Sequence, residues 1–140
     1  MNRGILRLLT ATFIALGIPG CASTLRTARP TLNADVEYLI TSAATDFHEH
    51  RPPDPVRFRA VKAGHYTAPG GETKYLICGE FLPADKQGTS EWMSFATIQT
   101  SKYEQWLGGS TLTFCNSTSV TWDKFDDLSS ALQLRLDSLR

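Results

Sequence analysis

His48 and His50, two residues apart, are the first pair of side chains that could hold a metal ion. On a helix, positions two apart point in different directions, so a shared metal would need an unwound helix end. No HExxH or CxxC spacing accompanies them, and a solvated helix end is the preferred reading. Glu80 stands inside the apolar run Tyr75-Leu76-Ile77-Cys78-Gly79-Glu80-Phe81-Leu82. A carboxylate there could work as a general acid or base, or it could pair with Arg57 or Arg59. No second carboxylate is spaced to complete an acid–base couple, which favours the ion pair. The serines lack a GxSxG elbow, and Gly70-Gly71 and Gly108-Gly109 lack the Lys-Ser/Thr of a phosphate loop. The residue types therefore assign no catalytic group, no metal set and no cofactor, and the expected role is non-enzymatic.

The N-terminus carries chemistry of another kind. Arg3 and Arg7 give a positive start, and residues 8–16 form an apolar stretch too short for a stable membrane span. Ile18-Pro19-Gly20-Cys21 follows. It resembles the lipobox of bacterial lipoproteins, with Pro19 where a small or hydroxylated residue is usual. The resemblance implies removal of residues 1–20 and acylation of Cys21. Ala22 after the cysteine implies the outer membrane rather than inner-membrane retention, with the domain facing the periplasm. An ordinary signal peptide is the alternative. Residues 21–30 read as a lipidated tether, with Arg26 and Arg29 near anionic head groups. The chain has 14 basic and 14 acidic side chains, so loss of Arg3 and Arg7 leaves a net charge of −2. No basic patch stands out, which disfavours nucleic acid as a partner.

With Cys21 lipidated, Cys78 and Cys115 remain. In an oxidising compartment an even count reads as one disulfide, and two buried free thiols are the alternative. The bridge would close a loop of about 38 residues, worth about 3–4 kcal/mol on the chain-entropy estimate.

The elements that must position these groups follow from periodicity. Residues 75–82 have strand length and apolar residues on both faces, as a central strand requires. Tyr75, Ile77 and Phe81 would face one way with Gly79, and Leu76, Cys78 and Leu82 the other with Glu80. Before it, Leu32, Val36, Leu39, Ile40, Ala43 and Phe47 recur at helical spacing, with Thr31 or Asn33 as cap. Residues 56–61 read as a first strand, 64–73 as a loop, 92–98 as a third strand and 110–115 as a fourth. Tyr103-Glu104-Gln105-Trp106-Leu107 reads as a helical turn. From about Val120 a closing helix is expected, with Trp122, Phe125, Leu128, Leu132, Leu136 and Leu139 as its stripe and Ser119 or Thr121 as cap. The resulting fold class is α+β: a small antiparallel sheet of about four strands, packed with N-terminal and C-terminal helices and tied by one disulfide. Residues 31–140 form this single domain.

Trp92, Trp106 and Tyr103 are the candidate partner-binding residues, since aromatic side chains ringed by polar ones are typical anchors at interfaces. Asp85, Lys86 and Glu91 surround Trp92 in sequence. Trp122 is expected in the core.

A wider resemblance rests on Asp54-Pro55, Arg57-Phe58-Arg59, Ile77-Cys78-Gly79-Glu80, the aromatic run from Trp92 to Phe95, and Cys115. These motifs resemble those of small exported proteobacterial proteins of unassigned function, and the chain as a whole is similar to small outer-membrane lipoproteins of Agrobacterium-type bacteria. It departs from the former after Glu80, where Phe81-Leu82 and a longer loop replace a glycine-rich segment. The resemblance implies a binding role. The leading expectation is a membrane-tethered module that binds another envelope protein, and the alternative is an inhibitor of, or immunity factor against, a cell-wall enzyme.

Overall fold

The computed structural model describes residues 32–50, 54–84 and 90–140. Cys21, the signal and tether, Thr31 and the loop residues Asp85 and Lys86 lie outside the described residues.

Helix α1, Ala34–Glu49, begins where Asn33 Oδ1 accepts the N–H of Val36 at 2.8 Å. That bond satisfies one of the orphan donors of the first turn, and Asp35 and Glu37 suit its positive end. Its expected stripe is buried: Val36, Leu39, Ile40, Ala43 and Phe47 all belong to one core. Phe47 is the hub of that core, with ring centroids 5.3 Å from Phe58, 4.9 Å from Phe81 and 5.4 Å from Phe95. Tilted and edge contacts at these distances add about 0.5–1.5 kcal/mol per pair beyond area burial.

Among the described residues five strands form one antiparallel sheet: β1 (Pro55–Thr67), β2 (Thr73–Pro83), β3 (Met93–Gln99), β4 (Tyr103–Leu107) and β5 (Thr121–Trp122). Their spatial order is β4-β3-β2-β1-β5, so β2 is central as its two apolar faces required. Ile77 and Phe81 are buried against α1 and against α3 (Ser129–Asp137), whose Leu132 and Leu136 reach the same core. Leu76 and Cys78 face the other way, with Ala96 and Ile98 of β3. Cys78 is joined to Cys115 on that second face. We refer to the two sides as the helix face and the disulfide face.

The α+β class and the disulfide are as expected, but five expectations need correction. First, β1 runs to Thr67, so the supposed loop shrinks to a tight turn; Ala68 N–H bonds to Glu72 O at 2.8 Å, and Gly70 and Gly71 take positive φ angles. Second, 103–107 is a strand. Five residues cannot nucleate a lasting helix, whereas pairing with β3 satisfies the backbone from Phe95↔Leu107 to Gln99↔Tyr103. Third, 110–115 is helical: a 3₁₀ turn, Gly108–Thr111, runs into the single turn α2, Leu112–Cys115. Ser110 Oγ and Thr111 Oγ1 donate to the carbonyls of Leu107 and Gly108, a local pattern that favours a turn over an extended chain. Fourth, the last helix starts at Ser129 rather than near Val120. Residues 121–122 instead pair with Gly64 and His65. A Cβ on Gly64 would stand 2.8 Å from Thr121 O and 2.9 Å from Trp122 Cε3, so glycine is what admits β5. Fifth, Trp122 is half-buried on the disulfide face and takes no part in the stripe of α3. The fifth strand of the sheet is a consequence of the fourth correction.

No helix among the described residues is long and apolar enough to cross a membrane.

Candidate functional site

The two faces of the sheet are covered unequally. Both long helices lie on one face, where their leucines and phenylalanines close a continuous core. Among the described residues the disulfide face is covered by residues 108–122, held down by Cys115 and by Asp123 N–H bonding to Ala63 O at 3.0 Å. Among the described residues, two clefts on that face border α2.

The first has a volume of about 250 Å³. Lys62, Glu80, Ser94, Asn116 and Trp122 are among its walls, with the Cys78–Cys115 bridge beside them. At its edge β1 carries a bulge. The register steps from Arg59↔Glu80 to Lys62↔Cys78, so Ala60 and Val61 together oppose Gly79. Ala60 takes φ = +51°, a region that a Cβ makes costly by about 1–2 kcal/mol. Asp127 compensates. Its carboxylate accepts the N–H of Val61 at 3.0 Å and of Ala60 at 3.2 Å, the N–H of Ser129 at 2.9 Å, and the Ser129 hydroxyl. Burial opposes ionisation of Asp127, but these hydrogen bonds outweigh it and hold its pKa below the ordinary aspartate value. On the helix face, the gap at Gly79 is filled by Val61 itself.

The second cleft, about 420 Å³, lies between Tyr66, Leu76, Phe114 and Val120, with Thr67, Thr113, Ser117 and Ser119 at its sides. None of the residues lining it carries a charged side chain.

Of the three aromatic candidates, Trp106 stands on this face. It is 38% exposed and packs on Phe114, ring centroids 5.5 Å apart. Leu112, 54% exposed, projects from α2, which also carries Phe114. Trp92 is half-buried, with the guanidinium of Arg59 4.1 Å above its ring. Arg59 Nε in turn donates to Glu80 Oε2 at 2.6 Å, so the expected pairing of Glu80 is with Arg59. The pair is substantially solvated and contributes at most about 1 kcal/mol. It orients Arg59 over Trp92 and places Glu80 at the first cleft.

Tyr103 points the other way. Its hydroxyl donates to Asp46 Oδ1 of α1 at 3.4 Å. Burial, the Asp46 charge and hydrogen bond, and more distantly Glu49 and Tyr38, push the Tyr103 pKa up. Tyr103 therefore fastens β4 to α1 and does not share a surface with Trp106. At this same C-terminal end of α1, His50 Nδ1 lies 3.2 Å from the same Asp46 Oδ1, and among the described residues no three His, Cys, Asp or Glu side chains gather as a metal set.

Sequence reasoning missed Leu112, Phe114 and Lys62 as members of this face. Lys62 lies 4.9 Å above the Trp122 ring. Its proximity to Cys78 in register was the available signal, but the bulge at residues 60–61 hid the parity of β1.

In comparisons with known proteins, no family model, no curated protein and no solved structure matches this chain.

Proposed function

We propose that this chain is a lipid-anchored, non-enzymatic interaction module of the bacterial cell envelope. Cys21 carries the lipid, the outer membrane is the anchor, and the disulfide face docks another envelope protein on the periplasmic side. The observation that carries the docking reading is the unequal cover of the sheet. Trp106, Leu112 and Phe114 form an aromatic and aliphatic crest on the less covered side. Around the crest lie hydroxyl-bearing side chains and the Arg59–Glu80 pair. A central aromatic anchor with a polar surround is the usual composition of an interface hot spot. The disulfide is in keeping with an exported protein. The anchor rests on Ile18-Pro19-Gly20-Cys21 and its lipobox resemblance.

Two measurements test this reading. Intact-mass analysis of membrane-extracted protein should show an acylated Cys21, and Cys21→Ser should leave the membrane fraction or remain uncleaved. A soluble wild type without acyl mass contradicts the anchor. Pull-down from envelope extract should enrich one partner with the wild type and lose it with Trp106→Ala. Recovery of a cell-wall hydrolase whose activity falls on binding would make the module an inhibitor. Equal capture by wild type and Trp106→Ala contradicts the docking surface.

A further inference from the structure

The sheet has two edges, and the fold treats them differently. On the β1 side the outer backbone is occupied from Ala60 to His65. Asp127 accepts the N–H groups of Ala60 and Val61, Leu128 and Asp123 donate to the carbonyls of Val61 and Ala63, and Gly64 and His65 pair with β5. β5 is two residues long, too short to template another strand. On the opposite side β4 pairs with β3 alone. Among the described residues nothing outside that pair bonds to the backbone of Tyr103 to Trp106. Such an edge is a row of N–H and C=O groups ready for another strand. The devices that usually blunt one are absent from β4. It has no proline and no lysine, and no bulge interrupts its register with β3.

The side chains of β4 select the strand that fits. Trp106 and Glu104 stand on the disulfide face, while Tyr103, Gln105 and Leu107 take the helix face. Two copies of β4 can add antiparallel only about a two-fold axis through one of its residues, because opposed side chains must share a face. An axis at Glu104 sets that carboxylate against its own copy, which is unfavourable. An axis at Trp106 carries Glu104 past the end of the opposing strand, to Gly108. The axis at Gln105 pairs all five residues: Tyr103 with Leu107, Glu104 with Trp106, and Gln105 with itself. Glu104 is exposed and has no ion-pair partner among the described residues. In this register it lies opposite the second copy's Trp106, which is 38% exposed and carries an indole N–H. Acceptor meets donor twice, once on each side of the axis.

We propose that β4 is a self-association edge: two copies of this chain join β4 to β4 antiparallel about a two-fold axis at Gln105 and form one continuous ten-stranded sheet. The axis is perpendicular to the sheet, so both disulfide faces lie on the same side and the two Trp106 side chains adjoin. The five paired residues a side are well short of the roughly 20–30 of a standard interface. The association is therefore weak, and it strengthens where copies are confined together. This pairing does not rest on the docking reading, but it shares Trp106 with that surface. The test therefore reads whether the captured molecule is a second copy.

The test is made on the full-length chain in the cells that produce it. On mild oxidation Gln105→Cys should form a reducible dimer of twice the chain's mass, and Tyr38→Cys, on the exposed side of α1, should not. Adding Trp106→Glu sets carboxylate against carboxylate on both sides of the axis and should lower the dimer yield about fivefold or more. Adding Glu104→Lys as well should restore it, because each lysine then opposes a glutamate of the other copy. Loss of a docking anchor has no such rescue. Should Gln105→Cys perturb the fold, p-benzoylphenylalanine at the exposed position 104 gives a second reading, an adduct of two copies. The proposal is overturned if neither position yields a two-copy product, if Tyr38→Cys yields it equally, or if position 104 captures a different protein instead. It is equally overturned if Trp106→Glu leaves the dimer yield unchanged. Absence of the dimer with a foreign adduct retained from a probe at Leu112 overturns this edge and not the docking face.

Discussion

Val61 and Asp127, 66 residues apart, are joined through the backbone of one and the carboxylate of the other. Val61 N–H donates to Asp127 Oδ1 at 3.0 Å, while Val61 O accepts the N–H of Leu128 at 2.9 Å. The bulge of β1 has given up its ladder at this point, and the segment leading into α3 replaces it. This clasp sets the shape of the disulfide face, because the residues it holds stand between Arg59 and Lys62.

Asp127→Ala should therefore cost about 1–2 kcal/mol at neutral pH, at the lower end because water reaches part of the site. The pH dependence has a definite sign. The folded pKa of Asp127 is depressed, so its stabilisation is fully present above the unfolded value of about 3.9 and is lost as pH falls through the lower folded value. Urea titrations from pH 7 down to pH 2 should show a shallower acid loss in Asp127→Asn than in the wild type. Parallel acid limbs would mean that the clasp carries no linkage.

Ala60 stores strain that glycine would relieve. Ala60→Gly should raise stability by about 0.5–1 kcal/mol, since the relief of the positive φ exceeds the added freedom of the unfolded chain. A chemical denaturation midpoint at or below that of the wild type would show that the bulge is not under the strain its φ angle implies.

Gly79 has no room for a side chain. A Cβ there would stand 2.8 Å from Val61 Cγ2, 2.9 Å from Phe95 Cε1 and 3.1 Å from Val61 Cα. Gly79→Ala should destabilise by about 1–3 kcal/mol through overpacking. Adding Val61→Ala should recover only part of the loss, because the Val61 Cα remains in the way. Full recovery in the double variant, measured by thermal melting, would place the whole clash in the valine methyls.

Much of this architecture is legible in the chain, and the illegible part has a common cause. The stripe from Val36 to Phe47 and the alternation around Ile77 and Phe81 are long and apolar, so their periods are unambiguous and both elements are found where expected. Between residues 100 and 128 the local signals compete with distant contacts. Leu112-Thr113-Phe114 alternates like a strand, yet Ser110 and Thr111 turn it locally and Cys115 ties it to β2. Trp122, Phe125 and Leu128 sit at helical spacing, but Gly64 draws Trp122 into β5. The bulge is invisible for the same reason. Nothing about alanine signals a positive φ, and its holding group lies far along the sequence. The candidate site suffered most, because the disulfide face is built largely from that segment.

The disulfide ties down the segment that, among the described residues, covers that face. Cys78→Ser with Cys115→Ser should lower stability by about 2–4 kcal/mol, on the loop-entropy scale for a separation of 37 residues. Amide exchange should quicken most in 108–122 and least in α1 and β2. Uniform quickening across the sheet would mean that the bridge stabilises the fold as a whole rather than this segment.

Site-specific photo-cross-linking in the native cell envelope decides whether the disulfide face is the docking surface proposed for it. p-Benzoylphenylalanine is placed at Leu112, on the exposed crest of α2, or at Tyr38, on the exposed side of α1 and 40% accessible. One discrete adduct of defined mass is expected from position 112, lost when Trp106→Ala is added, and none from position 38. An adduct from position 38 alone, or the same adducts from both positions, would contradict it.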